Sequence, residues 1–229
     1  MILKKWEELP ESLKTDAVRP YYDLLAKRRG SLLLKRCFDI VVSALMLLVL
    51  SPVFLVLAIA IKLDSPGPVF YRQVRVTQYG REFRIFKFRS MVSDADKRGS
   101  LVTVSGDSRI TRVGKFIRKC RLDEVCQLID VLRGTMTFVG TRPEVPKYLA
   151  AYTPEMMATL LLPAGVTSEA SILYKDEAEL LDAADDVDAV YIRDVLPGKM
   201  KYNLDALKNF SFFSDIATMF RTVFAVLGK

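Results

Sequence analysis

Residues 118–127 read Arg118-Lys119-Cys120-Arg121-Leu122-Asp123-Glu124-Val125-Cys126-Gln127. Three cations are followed by two adjacent carboxylates. Neighbouring residues on a helix do not face each other, so Asp123 and Glu124 suit two separate jobs better than one shared job. One carboxylate can serve as a nucleophile and the other as a ligand for a hard divalent cation. Phosphoryl transfer needs that pairing together with cations that neutralise phosphate oxygens, and Arg118, Lys119 and Arg121 are at hand. Taken alone the pair has an ordinary explanation, because acidic residues favour the first turn of a helix, where the dipole is positive. The chain contains no histidine. Ser-His-Asp triads, imidazole acid–base chemistry and His-containing metal sites are therefore excluded. The three cysteines, Cys37, Cys120 and Cys126, form no CxxC pair. Their odd number fits a reducing compartment, with neither a disulfide framework nor a zinc knuckle.

The element that must place this chemistry is an apolar run at 40–61, 22 residues without a charged side chain. A hydrocarbon core about 30 Å thick takes roughly 20 apolar residues to cross as a helix. Ser51-Pro52 interrupts the run, and proline removes an N–H and clashes with the carbonyl four residues back, which predicts a kink. The Ser51 hydroxyl or adjacent helices can take up the freed backbone groups. Lys27, Arg28, Arg29, Lys35 and Arg36 precede the run; Lys62, Arg72, Arg75, Arg81, Arg84, Lys87 and Arg89 follow it. Lys/Arg-rich flanks mark the cytoplasmic side, and here both flanks qualify. The residues alone leave open a kinked span, which is the default, and a re-entrant hairpin with Lys35, Arg36 and Lys62 at the interface. The run lies too far inside the chain for a cleaved signal peptide.

The 229 residues suffice for one sizeable domain plus a membrane element. Half the chain is hydrophobic (51%) and the net charge is +7, which suits a bilayer with anionic headgroups or phosphorylated substrates. Nucleic acid is the competing partner for such charge, and the apolar run argues against it. Residues 1–30 mix aromatic, apolar and charged side chains around Pro10 and Pro20 and read as an interface-lying lead-in. Asp64-Ser65-Pro66-Gly67-Pro68 is a turn cluster. Alternation over 69–76 and 83–89, with Gln78-Tyr79-Gly80 between, predicts a β-hairpin. Its cations Arg72, Arg75, Arg84, Lys87 and Arg89 face only Glu82. Residues 93–107 read as a loop able to close over substrate. Ile110, Val113, Phe116 and Ile117 form an apolar stripe, and Leu122, Val125, Leu128, Ile129 and Leu132 a second, ended by Arg133-Gly134. Residues 176–188 are acidic and read as a solvated helix. Over 204–229 a broad apolar stripe with Lys208, Arg221 and Lys229 is able to lie on a bilayer or pack on the core. Asp176, Glu177 and Arg193 are candidates for sugar recognition.

Several linked motifs occur in order between Lys35 and Thr167. They are Lys35-Arg36-Cys37-Phe38-Asp39-Ile40, Ser51-Pro52, Asp64-Ser65-Pro66-Gly67-Pro68-Val69, Lys87-Phe88-Arg89-Ser90-Met91, and Arg109-Ile110-Thr111-Arg112-Val113-Gly114-Lys115-Phe116-Ile117-Arg118-Lys119. Leu122-Asp123-Glu124-Val125-Cys126-Gln127-Leu128 and Phe138-Val139-Gly140-Thr141-Arg142-Pro143-Glu144-Val145-Pro146 complete the set. With these the chain resembles the monotopic polyprenyl-phosphate phosphoglycosyltransferases, the bacterial initiating sugar transferases. It departs at Arg121, where Ser often caps the helix, which leaves Asp123 as a substitute cap. It departs also at Cys126 and Thr141, where Pro is frequent, and at Ser168-Glu169-Ala170-Ser171-Ile172-Leu173.

The resemblance implies the rest of the expectation. The fold is mostly α with a small β-hairpin, an α+β arrangement. It divides into an amphipathic lead-in at 1–34, a re-entrant membrane helix hairpin at 35–63 broken at Ser51 and Pro52, a cytosolic catalytic domain at 64–203 and a C-terminal amphipathic helix at 204–229, with amphipathic helices at the interface. Asp123 attacks the β-phosphate of a UDP-sugar, expels UMP and passes the phospho-sugar to polyprenyl (undecaprenyl) phosphate. Glu124 helps hold Mg²⁺. Arg118 contacts substrate phosphate, and Lys87, Arg89, Arg112 and Arg142 line the site. The partners are polyprenyl phosphate, a UDP-sugar and the lipid bilayer, with a homodimer allowed. The location is the cytoplasmic face of the bacterial inner membrane, at the first membrane step of glycoconjugate assembly. The several N-terminal spans of larger members are expected to be lacking, a further departure. A non-enzymatic basic adapter that binds anionic lipid or a partner protein is the alternative reading.

Overall fold

The computed structural model of the chain describes residues 3–95, 107–174 and 186–227. Most of residues 93–107 and 176–188, read above as a loop and an acidic helix, therefore lie outside the described residues. Two short 3₁₀ turns lead into helix α1 (Arg19–Lys27) and the long helix α2 (Arg29–Asp64). An antiparallel hairpin follows, β1 (Phe70–Val76) with β2 (Glu82–Phe88). Helix α3 (Arg112–Lys119) precedes a 3₁₀ segment, Leu122–Gln127, that runs directly into α4 (Leu128–Arg133). Strand β3 (Met136–Val139) leads to α5 (Pro146–Leu149), a 3₁₀ segment (Met156–Leu161) and β4 (Ala164–Thr167), which pairs in parallel with β3. Helices α6 (Glu169–Leu173), α7 (Val187–Val190), α8 (Leu196–Lys208) and α9 (Phe212–Leu227) close the chain. The mostly helical class and the hairpin agree with the sequence. The β3–β4 pair is new, and four-residue strands are too short to show an alternating pattern.

The N-terminal stretch is built into the domain. Pro10 and Pro20 break it into short turns and α1, and Leu9, Leu13, Val18, Tyr21, Tyr22 and Leu25 are buried against Leu161, Leu204 and Leu207. Tyr79 and Tyr22 fix its start, accepting from the Lys4 N–H and donating to the Lys4 carbonyl, each at 3.0 Å.

Helix α2 carries Pro52 inside it. Proline leaves the Leu48 carbonyl without its usual N–H partner, and the Ser51 hydroxyl donates to that carbonyl at 2.8 Å. By length and composition α2 can cross a membrane, and Leu45, Leu48, Val49, Leu55, Val56 and Ile59 are exposed along its middle. Both ends nonetheless meet the same small unit, although a straight helix of this length would span about 54 Å. Near the start, Arg36 donates to the Val131 and Leu132 carbonyls at 2.7 and 2.9 Å. Those are last-turn carbonyls of α4, where the dipole favours a cation. Lys35 is buried, donating to the Val139 carbonyl at 2.7 Å and pairing with Asp215 of α9. Asp39 accepts from the Thr137 hydroxyl at 2.7 Å and the Phe138 N–H at 3.2 Å. Lys35 and Arg36 thus dock the helix on the domain, where the sequence reading has them facing headgroups. Near the end, Leu57 and Ile61 pack with Phe86, Phe88, Ile117 and Cys126, and Asp64 accepts from the Val113 N–H at 2.9 Å.

The C-terminal stripe is divided between two helices. Helix α8 stops at Lys208, and Ser211 and Ser214 exchange N–H to hydroxyl bonds of 3.0 and 2.9 Å that start α9 afresh. Phe212 packs edge-on against Phe38 of α2, with ring centroids 5.6 Å apart, while Phe213, Phe220 and Phe224 are exposed.

Candidate active site

The hairpin and the 3₁₀ segment Leu122–Gln127 frame one cavity of about 630 Å³. Two contacts lock the frame. Phe88 and Cys126 share a buried cluster, and Asp130 of α4 accepts from the Phe86 N–H of β2 at 2.8 Å. Eight cationic side chains line the cavity against two carboxylates, Asp123 and Glu124. Such an excess focuses a positive field on the opening and suits a substrate carrying phosphates.

Arg121 sits between α3 and the 3₁₀ segment with a left-handed backbone (φ 55°), and no side chain caps the start of that segment. The Asp123 carboxylate accepts instead from its own backbone N–H in the first turn of the segment. A non-glycine residue here costs roughly 1–2 kcal/mol, a local strain set directly before the two carboxylates.

Glu124 is clamped. Its Oε1 accepts from Lys87 Nζ at 3.1 Å, and Arg142 reaches both oxygens, Nη1 to Oε2 at 3.2 Å and Nη2 to Oε1. Burial favours its protonated form, but Arg142 and then Lys87 outweigh that and hold the carboxyl well below the usual range. Burial pulls Lys87 down, with the Glu124 charge opposing. Asp123 differs on each count. Among the described residues no other side chain donates a hydrogen bond to it. Burial, and then the neighbouring Glu124 charge, push its pKa up, with Lys87 and Arg118 working the other way. One carboxylate is thus a fixed anion held by cations, and its neighbour is a more basic carboxylate to which no other side chain is bonded.

Arg142 reaches Glu124 from the loop after β3. That loop is pinned where the Gly140 N–H donates to Thr167 O at 3.0 Å and the Gly165 N–H to Thr141 O at 2.8 Å. A Cβ on Gly165 would lie 2.2 Å from Gly140 N, so only glycine permits this approach. Arg75 donates to the Pro143 carbonyl at 3.1 Å, and Tyr191 donates to Glu144 Oε1 at 2.5 Å.

Of the residues the sequence singles out, Asp123, Glu124, Lys87, Arg89, Arg118 and Arg142 line the cavity. Arg89 is buried, and its guanidinium is occupied elsewhere: Nη1 donates to Pro66 O at 2.6 Å and Ser93 Oγ at 2.7 Å, and Nη2 to Ser65 O at 2.7 Å and Ile61 O at 3.3 Å. It ties down the end of α2. Arg112 is exposed on the first turn of α3 and is not among the lining residues. Arg193 is exposed and paired with Asp194, and Asp176 and Glu177 lie outside the described residues. The cavity also gathers Arg72, Arg75, Gln73, Tyr71, Arg109 and Arg121. The run of cations on the hairpin is the sequence signal for the first two. The Arg72 guanidinium lies 3.5 Å from the Phe86 ring centroid. Arg109 is bound to Asp107, whose carboxyl it holds down at about 2.

Among the described residues no third Asp, Glu, Cys or His joins the two carboxylates to form a metal cluster. A carboxylate offers about four lone-pair positions, and the three contacts to Lys87 and Arg142 leave Glu124 room for one more. The donor set fits a cation such as Mg²⁺, which takes one or two carboxylates and completes its shell with water and substrate phosphate.

The bacterial sugar transferase family profile matches residues 30–229. An Aeromonas hydrophila UDP-N-acetylgalactosamine-undecaprenyl-phosphate N-acetylgalactosaminephosphotransferase is 35% identical over 197 residues, covering 85% of this chain and 44% of its own length. A UDP-glucose:undecaprenyl-phosphate glucose-1-phosphate transferase of Escherichia coli K12 is 36% identical, covering 84% and 40%. One of the same description from Caulobacter vibrioides is 33% identical, covering 84% and 69%. The chain thus spans about two fifths of the length of the first two relatives.

Proposed function

The chain belongs to the bacterial sugar transferase family, and from that premise we propose that it transfers a phospho-sugar from a UDP-sugar to polyprenyl phosphate. The observation that carries the reading is the pairing in one cation-lined cavity of Asp123, held by no other side chain and raised in pKa, with Glu124, clamped and ionised.

In the first half-reaction an Asp123 carboxylate oxygen forms a bond to the β-phosphorus of the UDP-sugar. The bond from that phosphorus to the oxygen bridging the α-phosphate breaks, and UMP leaves with the electron pair. In the second, a phosphate oxygen of the polyprenyl phosphate attacks the same phosphorus. The Asp123–phosphorus bond breaks, the carboxylate is restored, and a polyprenyl diphospho-sugar departs. Asp123 acts as its anion, so no side chain need remove a proton. Arg118 and Arg142 offer donors to phosphate oxygens as charge moves onto them. Lys87 and Arg142 keep Glu124 ionised beside the nucleophile. Glu124, with Asp123, is the residue that would hold Mg²⁺, whose chemistry here is to neutralise diphosphate charge.

The lipid acceptor sets the location. We read α2 as entering the bilayer and returning to the same face, with the turn at Ser51-Pro52. The docking of Arg36 and Asp39 near one end, and of Ile61 and Asp64 near the other, on the same unit supports this reading, as does the Ser51 hydroxyl on the Leu48 carbonyl. The cavity then opens beside the cytoplasmic surface of the bacterial inner membrane, where a soluble nucleotide sugar meets a lipid phosphate.

The test is exchange of labelled UMP into UDP-sugar by the detergent-purified protein, with Mg²⁺ and without lipid. A two-step mechanism exchanges label in the wild type and loses exchange in Asp123→Asn. Transfer to polyprenyl phosphate without exchange would contradict the covalent step.

A further inference from the structure

We propose that the outer face of α3 binds the anionic headgroups of phospholipids in the bilayer surrounding the cavity mouth. The inference rests on the reading of α2 as membrane-embedded. Arg112, Lys115, Phe116 and Lys119 are spaced i, i+3, i+4 and i+7, which places them on one face of the helix, and all four are exposed. The opposite face is fixed: Gly114 lies against the Ser90 backbone, where a Cβ would sit 2.0 Å from the carbonyl oxygen, and Ile117 is fully buried.

The partners of that inner face set the depth of the helix. Ile117 packs with Leu57 and Ile61 of α2, and the Val113 N–H donates to Asp64 at 2.9 Å. Helix α3 therefore runs beside the last two turns of α2. On those same turns Val56, Ile59 and Leu63 are 65%, 53% and 84% exposed. With α2 in the bilayer, those side chains face acyl chains and the neighbouring face of α3 lies at headgroup level. Phe116, 57% exposed between cations, has the composition of an interfacial face, with an apolar ring for the acyl boundary and cationic heads for phosphate.

Charge selects the lipid. Helix α3 contains no acidic residue, and Lys62, in the last turn of α2, is exposed. Arg112, Lys115 and Lys119 make no hydrogen bond or ion pair among the described residues, so their charge is free to act outward. Anionic phospholipid is attracted to such a cluster in preference to zwitterionic lipid. Arg118 on the same helix and Arg121 after it line the cavity, so the basic surface is continuous with the site that takes lipid phosphate. Arg112 belongs to this surface, although the sequence resemblance sends it to the cavity.

The test uses the full chain as Trp6→Phe/Phe116→Trp, which leaves one tryptophan, on α3. The protein is reconstituted in vesicles of phosphatidylcholine with about 30 mol % phosphatidylglycerol. Energy transfer from the tryptophan to a trace headgroup-labelled probe of either lipid is then compared. About threefold stronger transfer to the phosphatidylglycerol probe is expected. It should fall to parity in Arg112→Gln/Lys115→Gln/Lys119→Gln. On the charge-intact protein, which needs no further substitution, it should fall by at least half in about 0.5 M salt, where the Debye length is near 4 Å. Equal transfer to both probes, or a preference that survives salt and substitution, overturns the proposal. UMP exchange in detergent, which involves no bilayer, is measured on the same preparation. Exchange without a lipid preference rejects the surface and spares the transferase reading, and a preference without exchange keeps the surface and contradicts the covalent step.

Discussion

Asp123 and Glu124 are neighbours in sequence and titrate in opposite directions. The difference comes from partners: Glu124 is held by Lys87 and Arg142, while Asp123 is buried beside that negative charge without a donor side chain. For Asp123 the folded pKa lies above the unfolded one. Its contribution to stability is therefore present at low pH and lost as pH rises through the raised value. At neutral pH the ionised nucleophile works against the fold. Asp123→Asn removes that charge, so it should raise stability by about 1 kcal/mol while abolishing UMP exchange, a trade familiar at active sites. Thermal unfolding in detergent beside the exchange assay checks both halves, and a destabilised variant would contradict the account. The same shift predicts that the exchange rate, which needs the anion, declines on acidification with a midpoint above the ordinary 3.8. A pH–rate profile with its acid limb at or below 3.8 would contradict the raised value. The carboxylate pair was legible in the sequence from its place after a basic helix. The resemblance put Lys87 and Arg142 at the site but not on Glu124, since Arg142 lies 18 residues from Glu124 and reaches it through the β3–β4 crossing.

At the scale of elements, the site depends on how α2 is moored. Arg89 donates to three carbonyls around the end of α2, those of Ile61, Ser65 and Pro66. A glutamine cannot span that set and carries no charge to meet the helix dipole. Arg89→Gln should therefore cost about 2–3 kcal/mol and speed hydrogen exchange at 61–66. An unchanged exchange pattern there would restore Arg89 to a purely phosphate-binding role. The resemblance put Arg89 at the site, which it lines, but its bonds to the end of α2 were not legible, because the carbonyls it serves belong to another element. Helix α3 teaches the same point. Phe116 and Ile117 are adjacent and both apolar, so periodicity alone places them in one stripe. Docking against Leu57 and Ile61 buries Ile117 and leaves Phe116 outward. The packing of the N-terminal stretch was illegible for a related reason: its apolar residues find partners on the 3₁₀ segment Met156–Leu161 and on α8, more than a hundred residues away.

For the whole molecule, the apolar run, its Ser51-Pro52 break and the two basic flanks were all legible. The residues alone left a span as the default and only the resemblance pointed to a hairpin, because the choice turns on where both ends of α2 dock. If α2 re-enters, cysteines introduced as Ser31→Cys and Leu63→Cys, in a chain whose native cysteines are replaced, both react with a membrane-impermeant thiol reagent from the cytoplasmic side. Labelling of one from each side would make α2 a span and separate the flanks. The anchor, the cation-lined cavity and the opposed carboxylates serve one central claim, that Asp123 carries the phospho-sugar between a soluble donor and a lipid acceptor. The most direct measurement is the intact mass of the purified protein after incubation with Mg²⁺ and each of a panel of UDP-sugars in the absence of lipid. The account predicts a mass increase of one phospho-sugar with the true donor. That increase should map to the peptide containing Asp123, be lost in Asp123→Asn and be discharged by polyprenyl phosphate. Turnover of the same donor to lipid-linked product with no adduct at any time, or an adduct that persists in Asp123→Asn, would contradict it.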